Sequence, residues 1–500
     1  PAVPGNAEIG IRGLENQSRI TQRRWGKLAL CAVLVPITVL SVVVSAQAQG
    51  TGFTPLSGIG GLTPPEVATG QAVETLCPQL NPTQTAGAVG DLQIRCTELV
   101  GNALAGRTAA ARNALLPMSP EEVVAQGMSS VEASNRNIGA RLAALRGVVT
   151  GIGFRRFTLQ NDAPTSPGTL VASLAPIFAA LSNTVLASES SPLQKLGVFV
   201  NGTLTIGDKD ATSREAGFDF TSLGATFGAD YRFTDNFILG IALSYMSTSA
   251  DFDKFNILHN PAGGGVDARS FSVSLYGTYY VLEKFYVDGI LGFGWNDYDI
   301  DRKIIYSIPA TDRVGRPIPG ITTVNQTAHG SPNGHQFSFS VGAGYDFNMG
   351  GFTFGPLARI EYIKLNIDGY REKINNTGNG FGLALVFDDQ DVDSLLSVLG
   401  GQASYAISTG IGVLLPQVRF EWRHEFKNDS RIIRARFVSD PTRTPLNLAT
   451  DAPDRNYFAI GIGTSMTFRG GASAFVYYEP VLGLAHVAAH NVVLGARWEF

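Results

Sequence analysis

Apolar and polar residues alternate at every second position through most of the chain after about residue 197. From Phe337 to Asn348, one parity is apolar or aromatic, and the other parity is Ser, Gly, Asp or Asn. The same alternation runs through 271–275 and 418–426. A period of two is typical of strands whose two faces meet different surroundings, and both a soluble β-sandwich and a membrane barrel contain such strands.

The lengths of the strands and of their connections distinguish these two folds. The predicted strands run about 12 to 17 residues, whereas soluble strands average roughly 5 or 6 and a tilted membrane crossing needs about 9 to 11. Tight turns at 234–236, 282–284, 348–351, 408–410 and 469–471 alternate with longer loops at about 207–215, 253–266, 301–333, 369–380, 428–455 and 482–488. Five short turns and six long loops predict about twelve antiparallel strands that begin and end on the short-turn side.

One segment complicates the strand count, because 381–387 and 394–406 look like separate strands and would raise the total to thirteen. An odd number would place the two ends of the barrel on opposite sides of the membrane. We therefore predict one long strand that is kinked at Asp388-Asp389-Gln390-Asp391.

The charged residues of one strand indicate which face meets water. Arg419, Glu421, Arg423 and Glu425 share one parity, and the other parity is mostly apolar or aromatic. Charges are expensive against lipid and tolerable in a wet lumen, so we predict that these four side chains line the inside of the barrel. A ladder of salt bridges on a soluble sheet is the alternative.

Before residue 195 the apolar spacing changes to three and four residues, which is typical of helices. Two series follow this spacing: Leu92, Cys96, Leu99 and Ala103, and then Val124, Met128, Val131, Ile138, Leu142 and Leu145. The second helix begins at a capping box, 119–122, and ends before Gly147. A third helix, interrupted by Pro176, is predicted over 170–188. Residues 49–84 contain much Gly, Pro and Thr and predict a flexible leader without a core.

The first 48 residues have the pattern of an export signal. Basic residues up to Lys27 precede an apolar run from Leu28 to Val44, which is followed by Ser45-Ala46-Gln47-Ala48. Small residues at this position are typical of signal-peptide cleavage, so we predict cleavage after Ala48 and passage through the general secretion translocon. A transmembrane helix is the alternative, which Pro36 and the shortness of the run disfavour.

Removal of this signal leaves two cysteines, Cys77 and Cys96. Because the periplasm is oxidising, we predict a disulfide, which would contribute roughly 3 kcal/mol in the chain-entropy picture. Two free buried thiols are the alternative.

Composition narrows the function classes. Only 16% of the residues are charged, against roughly 25% in soluble domains. The formal net charge is −4, and Lys and Arg do not cluster outside the extreme N-terminus, so we exclude nucleic acid as a partner.

Motifs that would indicate catalysis are absent from the sequence: it contains no Gly-x-Ser-x-Gly, His-Glu-x-x-His, Cys-x-x-Cys or phosphate-binding glycine loop. We therefore predict no enzymatic activity, no cofactor and no metal. The densest carboxylate cluster is Asp388, Asp389, Asp391 and Asp393. It is either a cation site or an exposed acidic bend, and the bend is the simpler interpretation.

The second half of the chain resembles the autotransporter β-domain family of type V secretion. The resemblance covers about 195–500 and lies in whole stretches: GADYRFTDNFILGIALSY, SLYGTYYVLEKFYVDGILGFGWNDYDIDRKI, FSFSVGAGYDFNMGGFTFGPLARIEYIKLNIDGY, LLPQVRFEWRHEF and the terminal LGARWEF. It implies a twelve-stranded outer-membrane barrel with a helix through the lumen just before the first strand, which would be the segment 170–188. It also implies that the barrel-assembly machinery reads the last strand, through Leu494, Ala496, Trp498 and Phe500.

The chain departs from this family in the segment before the barrel. Most members have a long passenger, whereas this region is short and has neither β-helix repeats nor an esterase-type serine motif. The paired asparagines of the self-cleaving members are also missing, since Asn183 stands alone. Release of the passenger by that route is therefore doubtful.

These observations predict an all-β transmembrane barrel with a lumen helix and a small α-helical N-terminal region. The regions are a signal peptide (1–48), a flexible leader (49–84), a short α-helical passenger (85–165), a linker with the lumen helix (166–194) and the barrel (195–500). We predict a translocator that is embedded in outer-membrane lipid and displays its own passenger at the bacterial surface.

Two other functions remain open. In the first, the barrel is structural or adhesive: its loops at about 301–333 and 428–455 contact a host or cell-surface ligand of unknown identity, and the N-terminal domain stays in the periplasm. In the second, weaker interpretation, the barrel is a diffusion pore.

Overall fold

A computed structural model describes residues 55–81, 83–84, 86–119, 195–252, 263–282, 284–469 and 471–499. The predicted signal peptide, the helix predicted between Ser119 and Gly147 and the lumen helix predicted over 170–188 lie outside these described residues. All of the described residues belong to one compact unit, 53–500.

The described residues contain three α-helices and nineteen strands. The helices are α1 (Pro64–Leu76), α2 (Gly87–Leu104) and α3 (Thr108–Leu115). The strands are β1 (Leu196–Lys209), β2 (Phe218–Thr234), β3 (Phe237–Phe252), β4 (Gly264–Leu282), β5 (Phe285–Thr311), β6 (Pro317–Gly330), β7 (Asn333–Tyr345), β8 (Phe347–Met349), β9 (Phe352–Ile367), β10 (Tyr370–Arg371), β11 (Leu385–Phe387), β12 (Gln390–Tyr405), β13 (Ile407–Thr409), β14 (Gly412–Glu425), β15 (Ile432–Phe437), β16 (Leu446–Ala449), β17 (Asn456–Phe468), β18 (Ala472–Leu482) and β19 (Val487–Glu499).

Twelve of these strands form a closed antiparallel barrel within the described part of the chain. Their order around the barrel is β1, β2, β3, β4, β5, β7, β9, β12, β14, β17, β18 and β19. The barrel closes where β19 pairs with β1, from Gly197 opposite Glu499 to Lys209 opposite Val487. The predicted fold class and strand number are confirmed.

The two ends of the barrel differ, as the sequence predicts. Short turns join β2 to β3, β4 to β5, β7 to β9, β12 to β14 and β17 to β18, and β8 and β13 lie in two of these turns. We call this the short-turn end; β1 begins there and β19 ends there. The other connections lie at the opposite end, which we call the long-loop end.

The outer surface of the barrel is apolar, and its inner surface is mostly polar. On β5, Leu291, Phe293 and Trp295 point outward and are exposed, whereas Asp288 and Asn296 point inward and are buried. A soluble barrel would have the opposite arrangement, because exposed apolar surface is unfavourable in water. The surface therefore fits a lipid bilayer, as in outer-membrane barrels.

The prediction of a long loop at 301–333 is wrong, because most of this segment is a β-hairpin. Strand β5 continues past the barrel to Thr311 and pairs with β6, from Ile300 opposite Gly330 to Thr311 opposite Pro317. Alternate residues of this extension are buried: Ile300, Arg302, Ile304, Tyr306 and Ile308. They are buried against protein rather than lipid, so the period of two continues beyond the membrane.

The single kinked strand predicted over 381–406 is also wrong. Strand β11 belongs to a separate four-stranded sheet, ordered β10-β11-β15-β16, and β12 begins only at Gln390. The chain leaves one sheet and enters the other at Asp388-Asp389. The even strand count holds because β11 is not part of the barrel. Strands β15 and β16 occupy much of the loop predicted at 428–455.

The flexible leader predicted over 49–84 is wrong for the part that the structure describes. Helix α1 begins with a capping box, in which the Thr63 amide donates to Glu66 Oε2 (2.5 Å) and the Glu66 amide donates to Thr63 Oγ1 (3.4 Å). Pro64 occupies the first helical position, where its missing N–H has no consequence. In the described part of the chain, none of the helices combines the length and hydropathy needed to span a bilayer.

The helices and the long-loop end of the barrel share one hydrophobic core. Its members come from α1–α3, from the β5–β6 hairpin and from the four-stranded sheet: Val73, Leu76, Leu92, Leu99, Leu115, Ile304, Ile308, Val324, Leu385, Phe387, Ile433, Phe437 and Leu448. We call the assembly of α1–α3, the β5–β6 hairpin and the four-stranded sheet the cap.

Candidate functional site: the barrel lumen and the cap

A network of charged residues covers one side of the lumen. On β14, Arg423 Nη2 lies 2.8 Å from Glu421 Oε2 and 2.9 Å from Glu479 Oε1 on β18. Arg359 on β9 has its Nη1 atom 3.4 Å from Glu421 Oε1. Arg419 on β14 has its Nη1 atom 3.7 Å from the same oxygen. The Glu421 side chain, 1% exposed, thus contacts three guanidinium groups.

The structure places all four residues proposed for the lumen on the inner face of β14, but they do not act alike. Glu425 lies near the long-loop end, where its carboxylate accepts hydrogen bonds from the amides of Leu395 (2.9 Å) and Lys427 (2.8 Å). Sequence reasoning missed Arg359 on β9 and Glu479 on β18, which complete the network from strands two places away from β14 on either side. On β14, charged residues of one parity alternate with apolar residues of the other, and this pattern identified the lumen residues. The same pattern is weaker on β9 and β18.

The opposite side of the lumen combines short hydroxyl side chains with a cluster of buried apolar and aromatic side chains that includes Phe199 and Tyr276. The hydroxyl side chains form cross-strand hydrogen bonds, such as Ser222 to Thr248 (2.8 Å) and Thr226 to Ser244 (2.9 Å). These hydroxyl groups give this wall hydrogen-bond donors and acceptors. Such a wall suits a polar or main-chain occupant rather than lipid.

An ion pair at the centre of the cap joins its parts. Arg302 Nε and Nη2 donate to the two carboxylate oxygens of Glu372 (2.9 and 2.6 Å), and Arg302 has no solvent exposure. The guanidinium also donates to the carbonyl oxygens of Leu383 (3.1 Å) and Pro117 (3.5 Å). Pro117 follows α3 in the chain, so this pair connects the helical segment to the hairpin and to the loop before β11.

Helix α2 contacts the barrel loops through polar groups as well. The Asp91 carboxylate accepts hydrogen bonds from the amides of Gly380 (3.1 Å) and Gly382 (2.9 Å), and Asn102 Nδ2 donates to the carbonyl oxygen of Pro309 (2.8 Å). A Cβ atom on Gly382 would lie 2.3 Å from a carbonyl oxygen of α2. The absence of a side chain there therefore permits the close approach of loop and helix.

Cys77 and Cys96 are joined in a disulfide, with Cα atoms 5.4 Å apart. The bond links the end of α1 to the middle of α2. Its loop is short, and loops of this length correspond to about 3 kcal/mol in the chain-entropy picture. The link therefore stabilises the helical part of the cap.

Glu98 is a buried carboxyl at the contact between α2 and β6. It accepts hydrogen bonds from Arg95 Nη1 (2.5 Å) and from Thr322 Oγ1 (2.7 Å), while Asp91 adds a second negative charge nearby. Burial raises the pKa of Glu98 above its ordinary value of 4.5, and the Arg95 charge and the two hydrogen bonds offset only part of this effect.

We expect the cap to lose stability as the pH rises from 4.5 through the raised pKa of Glu98. In this range the folded chain binds more protons than the unfolded chain, so the free energy of unfolding falls with pH, by at most about 1.4 kcal/mol per pH unit for one proton. Urea unfolding of the cap at several pH values would measure this slope. The Glu98→Gln variant should have a smaller slope and greater stability at neutral pH; an unchanged slope would contradict the assignment.

The terminal strand places Leu494, Ala496 and Trp498 on the outward parity, between inward Asn491, Val493 and Arg497. Phe500 lies outside the described residues.

The acidic residues 388–393 do not converge on one point. Asp388 pairs with Arg436 (3.1 Å), Asp389 accepts from the Gly369 amide (2.6 Å), Asp391 contacts Asn366, and Asp393 binds Tyr362 (3.0 Å) and Lys427 (3.2 Å). Among the residues with described positions, no group of three or more His, Cys, Asp or Glu is arranged to hold a metal ion.

Known proteins that are similar to this chain include a lipase and outer membrane proteins. The chain is 25% identical to Lipase 1 of Photorhabdus luminescens over 256 residues, which is 50% of this chain and 34% of the lipase. It is 23% identical to Outer membrane protein B of Rickettsia japonica over 286 residues, or 57% of this chain and 16% of that protein. The chain thus spans well under half of the length of these relatives.

A solved structure, the translocator domain of autotransporter NalP from Neisseria meningitidis, matches 66% of this chain and 96% of that domain. The identity is 14%, and the TM-score is 0.45. The family model for the autotransporter β-domain matches residues 198–479, which is more than half of the chain. The barrel is therefore a translocator barrel of the bacterial outer membrane, and the chain belongs to the autotransporter β-domain family.

Proposed function

We propose that the barrel exports the N-terminal helices of its own chain and retains them at the cell surface as part of the cap. Outer-membrane barrels have short turns in the periplasm and long loops outside, so the cap lies on the outer side. The observation that supports retention is the core that α1–α3 share with the external hairpin and sheet. A passenger that was to be released would need a core of its own.

The path of the chain supports export through the lumen. The carbonyl oxygen of Pro117 lies against Arg302 at the long-loop end, whereas β1 begins at Leu196 at the short-turn end. We propose that the segment between them runs through the barrel, where the charged and hydroxyl walls offer polar partners. As a helix, the predicted segment 170–188 would be about 28 Å long, close to the roughly 30 Å thickness of a hydrocarbon core.

Assembly of this protein, on our proposal, uses the general secretion translocon and then the barrel-assembly machinery. The outward row formed by Leu494, Ala496 and Trp498, with Phe500, would be the signal that this machinery reads. We propose no catalytic role for the chain, since its sequence lacks the serine and metal motifs of hydrolases. Export would be driven by folding of the cap rather than by a nucleotide.

Protease digestion of intact cells tests the proposal. One variant has an epitope tag inserted after Thr83, in the exposed connection between α1 and α2, and the matched control has the tag after Gly350, in a turn at the short-turn end. We expect protease to remove the first tag and to spare the second until the outer membrane is opened. If the Thr83 tag is also protected in intact cells, the N-terminal helices are periplasmic and the export role fails.

Retention is tested in the same cells without protease. The tag after Thr83 should stay in the membrane fraction, on a polypeptide of the same length as that which carries the Gly350 tag. A tagged fragment in the medium would show that the passenger is released.

A further inference from the structure

The tip of the β5–β6 hairpin carries an exposed apolar patch outside the barrel. In the described part of the cap, five large apolar residues are strongly exposed. Four of them lie at the hairpin tip or at the adjacent end of α2: Leu104 (62%), Val314 (70%), Ile318 (44%) and Ile321 (73%). The fifth, Ile432, lies on β15. We call these four residues, with the arginines described next, the tip patch.

Three exposed arginines belong to the tip patch: Arg107, Arg313 and Arg316. Helix α2 contacts the turn directly, since a Cβ atom on Gly101 would lie 2.3 Å from the carbonyl oxygen of Gly315, and Leu104 and Arg107 follow within two turns. The nearby carboxylate, Asp312, accepts hydrogen bonds from the amides of Val314 (3.0 Å) and Arg316 (2.8 Å). The patch is therefore apolar and positively charged.

The tip has a fixed conformation. Besides the Asp312 bonds, the Gly315 amide donates to the Asp312 carbonyl oxygen (3.0 Å), and Gly315 adopts φ +83°, which favours glycine. The turn thus presents Val314 outward without first having to be ordered, which reduces the entropic cost of binding.

The tip lies far along the strand from the apolar surface with which the barrel contacts its own membrane. The apolar exterior of β5 ends at Trp295, and the strand continues to Thr311. This continuation corresponds to about 50 Å of strand. The tip patch is therefore separate from the apolar surface of the barrel.

We infer that the tip patch is a membrane-contact surface that inserts its apolar side chains into an anionic phospholipid bilayer of another cell. This inference rests on the proposed display of the cap at the surface. A hairpin tip that exposes both apolar side chains and guanidinium groups suits an anionic bilayer surface: the apolar groups enter the acyl region, and the arginines bind lipid phosphates.

Vesicle flotation with the purified full-length chain, held in nanodiscs of neutral phosphatidylcholine, tests the inference. The probes are vesicles of phosphatidylcholine alone and vesicles that also contain phosphatidylserine. We expect binding to the anionic vesicles only, weakened by added salt. The double variant Arg313→Gln/Arg316→Gln should bind about fivefold more weakly for each arginine removed, and Ile318→Ser/Ile321→Ser should lose at least about tenfold.

Matched controls lie elsewhere on the cap. Ile432→Ser removes an isoleucine whose exposure lies between those of Ile318 and Ile321, and Arg371→Gln/Arg434→Gln removes two exposed arginines of the four-stranded sheet. Both should bind as the unaltered chain does. Equal binding to the two vesicle types, or tip variants that bind like the controls, would overturn the inference.

Two further outcomes are informative. In one outcome, the chain does not bind vesicles, and the tip variants reduce adhesion to whole cells only when those cells keep their surface proteins. The partner would then be a protein, and the lipid inference would be wrong. Because the vesicle assay uses purified protein, its failure is separate from a failure of display, which the Thr83 tag reports.

Discussion

The Arg302→Met variant should lose about 3 to 5 kcal/mol of cap stability, because it leaves the Glu372 carboxylate buried without its cation. Both oxygens of Glu372 accept from Arg302, and a third hydrogen bond comes from the Leu385 amide (2.8 Å). The ion pair lies beyond the membrane, so the barrel should be unaffected. Hydrogen exchange in α2 would report opening of the cap, and heat-modifiable migration on a gel would report the barrel.

Two variants sharpen this test. Lys303→Met changes the neighbouring residue, which is only partly buried and binds Thr327 (3.0 Å), and it should have little effect. The double variant Arg302→Met/Glu372→Leu removes both charges and should recover much of the loss, since a well-packed apolar pair often replaces a buried ion pair without penalty. Unchanged exchange in the single variant would show that the pair does not hold the cap together.

The Glu421→Ala variant should destabilise the barrel itself, by a similar amount of about 3 to 5 kcal/mol. Removal of this carboxylate leaves Arg359 on β9 and Arg419 and Arg423 on β14 close together without the anion that contacts all three. The three guanidinium groups then repel one another at a position that solvent hardly reaches, since Glu421 is only 1% exposed. The urea concentration at which the refolded barrel loses its compact gel migration would measure the effect.

The matched control for this variant is Ser340→Ala, a buried lumen position whose side chain carries no charge. It should unfold at nearly the same urea concentration as the unaltered barrel. Combining Glu421→Ala with Arg423→Met removes one of the three clustered cations and should restore part of the stability. A Glu421→Ala barrel as stable as the control would mean that solvent in the lumen compensates for the missing charge.

The barrel could be predicted because its determinants are local. Each strand shows its own alternation, and each tight turn lies between two strands, so the number of strands and the position of the two ends follow from the printed order of residues. Helix α1 has a local determinant too: the capping box at Thr63 and Glu66 has the same form as the one at 119–122. The Gly and Pro content of the leader concealed it.

The cap could not be predicted in this way, because its determinants are far apart in the chain. Asp91 meets Gly382 across 291 positions, and Asn102 meets Pro309 across 207. No periodicity shows that these residues are neighbours. The hairpin beyond Ile300 was predicted as a loop because Arg302, Pro309 and several threonines interrupt its apolar parity, yet Arg302 is buried by its partner Glu372.

The composition of the shared core has a consequence for the order of folding. Its first member is Leu56 and its last is Leu448, so the core is complete only when nearly the whole polypeptide is in place. Contacts of such high sequence separation form slowly, because closing a long loop costs entropy before any stabilising contact has formed. Until the strands and external segments arrive, α1–α3 lack the partners that bury their apolar faces. The N-terminal region would thus remain unfolded during transit, which is the state in which a polypeptide can pass a narrow lumen.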